Sequence, residues 1–190
     1  MNGVTVRRQQ PLDFAADADA VLVGSGIRTR EIAQDTDMLS RIAIDPSTQL
    51  VGAQCSGTLL LARLGLLGGL PACTDLTTKP WVIEAGVQVI DAPFIAHGNI
   101  ATAGGCLSAQ YLATWMIARL AGIAEAEEAM HYVAPVGQKD AYVRRRSMRL
   151  RATSRHPRRR RPRAISRQMA SPADSELTAN KERLARSGST

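Results

Sequence analysis

Residues Leu50 to Ala62 (Leu-Val-Gly-Ala-Gln-Cys-Ser-Gly-Thr-Leu-Leu-Leu-Ala) put a short apolar strand, one cysteine, two small residues and a helical apolar run in immediate succession. A strand that turns into a helix over so few residues needs a tight bend, and Gly52 and Gly57 on either side of Cys55 relieve the crowding there. A bend of this kind lifts a side chain above the carboxyl end of a sheet, where nearby backbone N–H groups can bind an oxyanion. The unpaired N–H groups at the start of the new helix would also favour a thiolate. Cys55 is therefore the candidate nucleophile.

The rest of the chain supports an α/β layout. Asp19–Gly24 reads as a buried parallel strand ending in a glycine turn, followed by a helical region with Thr29 as N-cap, Asp35 and Asp37 opening a second turn, and Met38, Leu39, Ile42 and Ile44 on its apolar face. Gln49–Ala53 is the next strand, and the helix after Cys55 closes at Gly65. Pro71–Thr74 reads as a short strand, a helix opens at Thr78-Lys79-Pro80-Trp81, and Gly86 ends it. Val87–Ile90 and Pro93–Ala96 are strand-like, and the tight turn His97-Gly98-Asn99 leads into the strand Ile100–Ala103. Helices over Ser108–Ala121 and Glu125–Tyr132 complete the pattern. Alternating strands and helices imply a mostly parallel sheet covered on both faces, with ligands at the carboxyl ends of its strands.

Charge divides the chain. Met1–Val143 has a net charge of −5 and Arg144–Thr190 one of +12, so the overall +7 describes the end of the chain rather than its apolar part. Arg144–Thr190 has no Phe, Tyr, Trp, Val or Cys, too little apolar area to offset the entropy of ordering, and is expected to be a disordered Arg-rich tail. The domain boundaries are thus 1–143 and 144–190. The abrupt loss of apolar periodicity after Tyr142 further suggests a tail read out of frame or otherwise non-native. Its positive run would give weak, salt-dependent phosphate contacts only, without aromatics to stack on bases, so nucleic acid is not the expected partner.

Three cysteines, Cys55, Cys73 and Cys106, make no C-x-x-C pair, which argues against a disulfide framework or a zinc site. No metal and no cofactor is expected, and no apolar run is long enough to span a membrane, so the expected location is the cytoplasm. Cys73, Cys106, Trp81 and Trp115 read as core or helix-packing residues, Cys106 also lying close to a helix start, His97 as exposed in a turn and His131 as a helix-flank residue.

Gly52-Ala53-Gln54-Cys55-Ser56-Gly57, the helix Leu59-Leu60-Leu61-Ala62-Arg63-Leu64-Gly65 with Leu66-Leu67-Gly68-Gly69, and Gly98-Asn99-Ile100-Ala101-Thr102-Ala103-Gly104-Gly105 together resemble the ThiJ/PfpI family of class I glutamine amidotransferase-like proteins, with isonitrile hydratases as the nearest branch. The resemblance spans Asp17 to Gln138. It implies a flavodoxin-like three-layer sandwich, a homodimer and a cysteine-dependent hydratase or hydrolase acting on a small electrophilic substrate. Carried onto this sequence, it makes Cys55 the elbow nucleophile and assigns oxyanion binding to the N–H groups of Gly26, in the turn Gly24-Ser25-Gly26, and of Ser56. Asp75 stands where many members have a histidine, which makes it the second candidate catalytic residue, although an Asp before Leu-Thr-Thr-Lys-Pro also reads as a turn or helix-capping acid. A carboxylate there would raise the thiol's pKa rather than lower it.

The resemblance also implies a strand, an acidic loop and a helix ahead of the present start, with Val4–Val6 taking the place of the family's second strand. The sheet is therefore expected to lack the first strand-helix unit. The missing acid and Asp75 motivate an alternative, a non-catalytic member acting as a redox or ligand sensor or as the sensory domain of a transcription regulator.

Overall fold

The computed structural model describes residues 5–153. Strand β1 (Ala20–Val23) lies parallel to β2 (Leu50–Gln54), pairing Ala20 with Leu50 and Val23 with Ala53. β2 in turn lies parallel to β4 (Ile100–Ala103), with Gln54 beside Ala103. β3 (Phe94–His97) closes the sheet as an antiparallel hairpin partner of β4, giving the order β1-β2-β4-β3. The hairpin turns on Gly98 and Asn99, and Gly98 at φ +59° takes the left-handed conformation that a two-residue turn needs.

Side chains leave a strand on alternate faces, and β2 uses both. Val51 and Ala53 pack with Leu59, Leu61, Val82 and Ile100, beneath helices α3 (Gly57–Arg63) and α4 (Lys79–Glu84). Leu50 packs on the other face with Phe94, Ala101, Leu112 and Trp115, beneath α5 (Ala109–Leu120). Two apolar layers around one mostly parallel sheet make the expected flavodoxin-like three-layer sandwich. Two short helices, α1 (Thr29–Ile32) and α2 (Thr36–Ser40), follow β1, and α6 (Ile123–Val133) and α7 (Lys139–Thr153) follow α5.

Several local readings change in the structure. The helical region after β1 is split: Asp35 caps α2 by accepting from the Met38 N–H at 2.9 Å, whereas Thr29 is the first helical residue of α1 and not its cap. Pro71–Thr74 and Val87–Ile90 reduce to one parallel bridge between Ala72 and Val89, too short a pairing to make two strands. Thr5 and Val6 form no strand and Val6 is exposed, because Arg7, Arg8, Gln9 and Gln10 after it offer no apolar alternation to bury; Val4 lies outside the described residues. Among the described residues β1 has β2 as its only partner, and its Leu22 is 57% exposed, so the sheet starts at this strand with one side uncovered.

The boundary at Arg144 also moves. α7 carries the chain as helix through Thr153, ten residues into the segment expected to be disordered. Arginine is a good helix former, and Asp140 in the first turn suits the positive end of the helix dipole. Tyr142 bonds Gln110 of α5, joining this helix to the sandwich. The rest of the expected tail, 154–190, lies outside the described residues.

Two glycines let backbones meet around the end of β2. A Cβ on Gly57 would fall under 3.0 Å from the Val23 carbonyl oxygen, and one on Gly104 would collide in the same way with the Thr74 carbonyl. Both obstacles are backbone, which cannot swing aside. Gly57→Ala is therefore expected to destabilise the chain by about 1–3 kcal/mol in urea unfolding; unchanged stability would mean that β1 does not end against the start of α3.

Candidate active site

Cys55 follows β2 directly and has φ +49°, the one non-glycine residue with positive φ among those described. A side chain in this left-handed region costs roughly 1–3 kcal/mol and persists only where neighbours determine it. Both backbone groups of Cys55 are tied. Its N–H donates to the Ala103 carbonyl at 2.8 Å, and its carbonyl accepts from the Thr58 N–H at 3.1 Å and the Thr74 hydroxyl at 2.9 Å. Thr58 and Thr102 extend the anchoring to the next segment: the Thr58 hydroxyl donates to the Cys73 carbonyl, and the Cys73 N–H donates to the Thr102 hydroxyl, each at 2.8 Å. Cys73 is buried, as expected of a packing residue.

The bend places Cys55 in a cleft of about 710 Å³, a volume usual for small-molecule sites. Ser25, Gly26, Ser56, Asp75 and Cys106 line the same cleft, so the four site residues expected from the sequence come together. Cys55 itself is 3% exposed.

The thiol is held differently from the sequence-based expectation. Burial pushes its pKa above the ordinary 9.0, against hydrogen bonds from the Gln54 side chain and the Gly105 N–H that favour the thiolate; the neighbouring Cys106 and Asp75 charges push it further up. The resting group at neutral pH is therefore the thiol. Gln54 Nε2 lies 3.1 Å from Cys55 Sγ and donates to the Gly105 carbonyl at 2.8 Å, fixing the segment before Cys106 beside the sulfur.

Ser56 anchors the opposing turn. The Thr29 hydroxyl donates its proton to the Gly26 carbonyl at 2.7 Å, so the Ser56 hydroxyl donates to Thr29 Oγ1 at 3.1 Å. Ser56 Oγ then accepts from the Ser25 hydroxyl at 3.0 Å and from the Gly26 N–H at 3.2 Å. The Gly26 N–H is thereby committed to Ser56, whereas the Ser56 N–H has no acceptor among the described residues. Asp75 Oδ1 accepts from the N–H groups of Thr77 and Thr78, both at 3.0 Å, as a turn-forming acid does. Its Oδ2 is buried without a partner among the described residues.

Cys106 opens a short 3-10 helix and is exposed rather than packed in the core, because its turn lies at the rim of the cleft; His97 is half-buried at the end of β3 rather than exposed in the turn, and His131 is exposed on α6. Gln54 and Arg30 belong to the site and were not singled out from the sequence. Gln54 adjoins the cysteine, which is a usable signal. Arg30 reaches the cleft only through its packing on Trp81. Among the described residues no group of three or more His, Cys, Asp or Glu side chains is placed to hold a metal ion, and no helix is long and apolar enough to cross a membrane.

No protein family's sequence profile matches the chain, and no curated protein matches it. Solved structures do. The VC2308 protein superposes with a TM-score of 0.60 at 22% identity, over 74% of this chain and 74% of that one. A ThiJ/PfpI family protein from Pseudomonas syringae gives 0.54 at 20% identity, over 73% of this chain, and DJ-1beta of Drosophila melanogaster gives 0.53 at 22%, over 63% of this chain. The chain spans 64% of the length of the Pseudomonas protein and 66% of DJ-1beta, less than two thirds of each. At these identities the likeness is one of fold: the chain shares a flavodoxin-like α/β sandwich with these proteins.

The thiol's environment predicts its titration. Iodoacetamide labelling of Cys55, followed by peptide mass spectrometry against pH, is expected to rise with a midpoint above that of a cysteine in a short peptide. Gln54→Leu removes a donor to the sulfur and should move the midpoint higher still; a midpoint lowered by that substitution would show that Gln54 does not stabilise the thiolate.

Proposed function

We propose that this chain is a cysteine-dependent hydratase or hydrolase of the ThiJ/PfpI kind, acting on a small electrophilic molecule. The observation that carries the reading is Cys55 in a strained left-handed bend between β2 and α3, bordering a cleft with an unpaired Ser56 N–H beside it. Strain concentrates where function requires it, and an elbow with a free amide is suited to acyl-transfer chemistry.

In the proposed step the sulfur of Cys55 attacks the electrophilic carbon of a carbonyl, isonitrile or amide. The electron pair of the substrate's multiple bond moves to its heteroatom; in an isonitrile the attacked carbon keeps its own lone pair and takes the proton there, and in a carbonyl or amide the developing oxyanion faces the Ser56 N–H. The thiol proton passes to Asp75 and from there to the substrate. From an amide the amine leaves with that proton and a thioester remains; water then adds to the carbon bound to sulfur, the carbon–sulfur bond breaks, and product leaves as a proton of the water restores the thiol. Asp75 suits this role because Oδ1 is spent on holding the turn while Oδ2 has no hydrogen-bond partner. Gly26 contributes its N–H only if Ser56 Oγ releases it, which makes Ser56 the donor at rest and Gly26 the second donor after substrate enters.

A homodimer in the cytoplasm completes the reading; the three free cysteines fit the reducing compartment. The raised pKa of Cys55 and the committed Gly26 amide favour one second reading, a ligand- or redox-sensing domain without turnover.

A panel of isonitriles, aldehydes and small amides separates the two. Turnover of one class, abolished in Cys55→Ser and lowered about 10²–10⁴-fold in Asp75→Asn, is the expected result. Turnover that survives Cys55→Ser would sink the proposal, and binding without turnover across the panel would favour the sensor.

A further inference from the structure

Three charged side chains line the Cys55 cleft: Arg30, Glu31 and Asp75. Glu31 is neutralised by Arg28, with which it pairs at 2.8 Å. Asp75 is tied into its turn through Oδ1. Arg30 is different. No carboxylate lies within 4.0 Å of it among the described residues, although Glu84 borders a small adjoining recess. Its guanidinium stacks on the Trp81 ring, 4.5 Å from the centroid. Stacking restricts the side chain on one face and leaves the in-plane N–H donors directed outward.

We propose that Arg30, held flat on Trp81, anchors a carboxylate of the substrate, so that the cleft takes small organic acids whose electrophilic carbon reaches Cys55. The inference rests on Cys55 being the nucleophile. A guanidinium edge matches a planar carboxylate by two parallel hydrogen bonds, and a buried or stacked arginine is the side chain best suited to that match. A phosphate is disfavoured here, because a dianion would meet one cation only and would face Asp75 in the same cleft. Ile27, which also lines the cleft, and Leu59 supply apolar surface for a short carbon chain. A cleft of about 710 Å³ accommodates such a molecule with room to spare.

Iodoacetate and iodoacetamide test this directly, because they have nearly the same shape and the same reactive carbon and differ in charge. Each forms a carbon–sulfur bond at Cys55 and expels iodide, and peptide mass spectrometry of the full chain reads Cys55 apart from Cys73 and Cys106. The ratio of the iodoacetate rate to the iodoacetamide rate at Cys55 is expected to fall about tenfold in Arg30→Gln, the scale of one charge-assisted hydrogen bond. An unchanged ratio overturns the carboxylate anchor while leaving the nucleophile in place. Cys55 unreactive to both reagents in the native chain overturns the nucleophile itself and the anchor with it. Should Arg30→Gln not fold, protection in the unsubstituted chain decides: butyrate slowing iodoacetamide labelling of Cys55 where butyramide does not supports the anchor, and equal or absent protection overturns it.

Discussion

The left-handed backbone of Cys55 is the constraint on which the rest of the site depends. A residue with a side chain does not stay at φ +49° unaided, and here three hydrogen bonds to its own backbone groups offset the strain. One comes from β4, one from the first turn of α3 and one from the segment that carries Asp75. The same three elements therefore define where the sulfur is and what faces it. Gly57 and Gly104 belong to this arrangement, since the carbonyls of Val23 and Thr74 lie where their side chains would be.

Electrostatics then decide what the sulfur is at rest. Burial dominates over the two hydrogen bonds that favour a thiolate, and the carboxyl of Asp75 adds to the same side. Such a site keeps its nucleophile protonated until something removes the proton, in contrast to a cysteine beside an imidazolium, which stays ionised. The hydroxyl cluster of Ser25, Thr29 and Ser56 has a related effect, because it holds the Gly26 turn over the elbow and engages one candidate oxyanion donor. A substrate that enters must compete with Ser56 Oγ for that amide.

The architecture was legible in the sequence because its signals are local. Leu50–Ala53, the small residues around Cys55, Gly98-Asn99 and the apolar helix of Leu112 and Trp115 each announce their conformation within a few residues, and the structure places them as expected. The association of Cys55, Ser56, Gly26 and Asp75 was legible only through the order of motifs along the chain. What escaped depends on distance. The ionisation of Cys55 is set by burial and by residues up to 51 positions away, Gly105 and Cys106 among them. The stacking of Arg30 on Trp81 joins two helices that no sequence window contains together. α7 escaped for the opposite reason: its arginines read as a solvated charge run, and their helix propensity was outweighed by the missing apolar pattern.

A crystal structure of the chain after reaction with a small aldehyde tests the central claim most directly. The account predicts an adduct on Cys55 Sγ, Cys55 still in the left-handed region, and the former carbonyl oxygen about 3 Å from the Ser56 nitrogen. A Cys55 with negative φ and its unmodified sulfur turned into the apolar layer beneath α3 would contradict it.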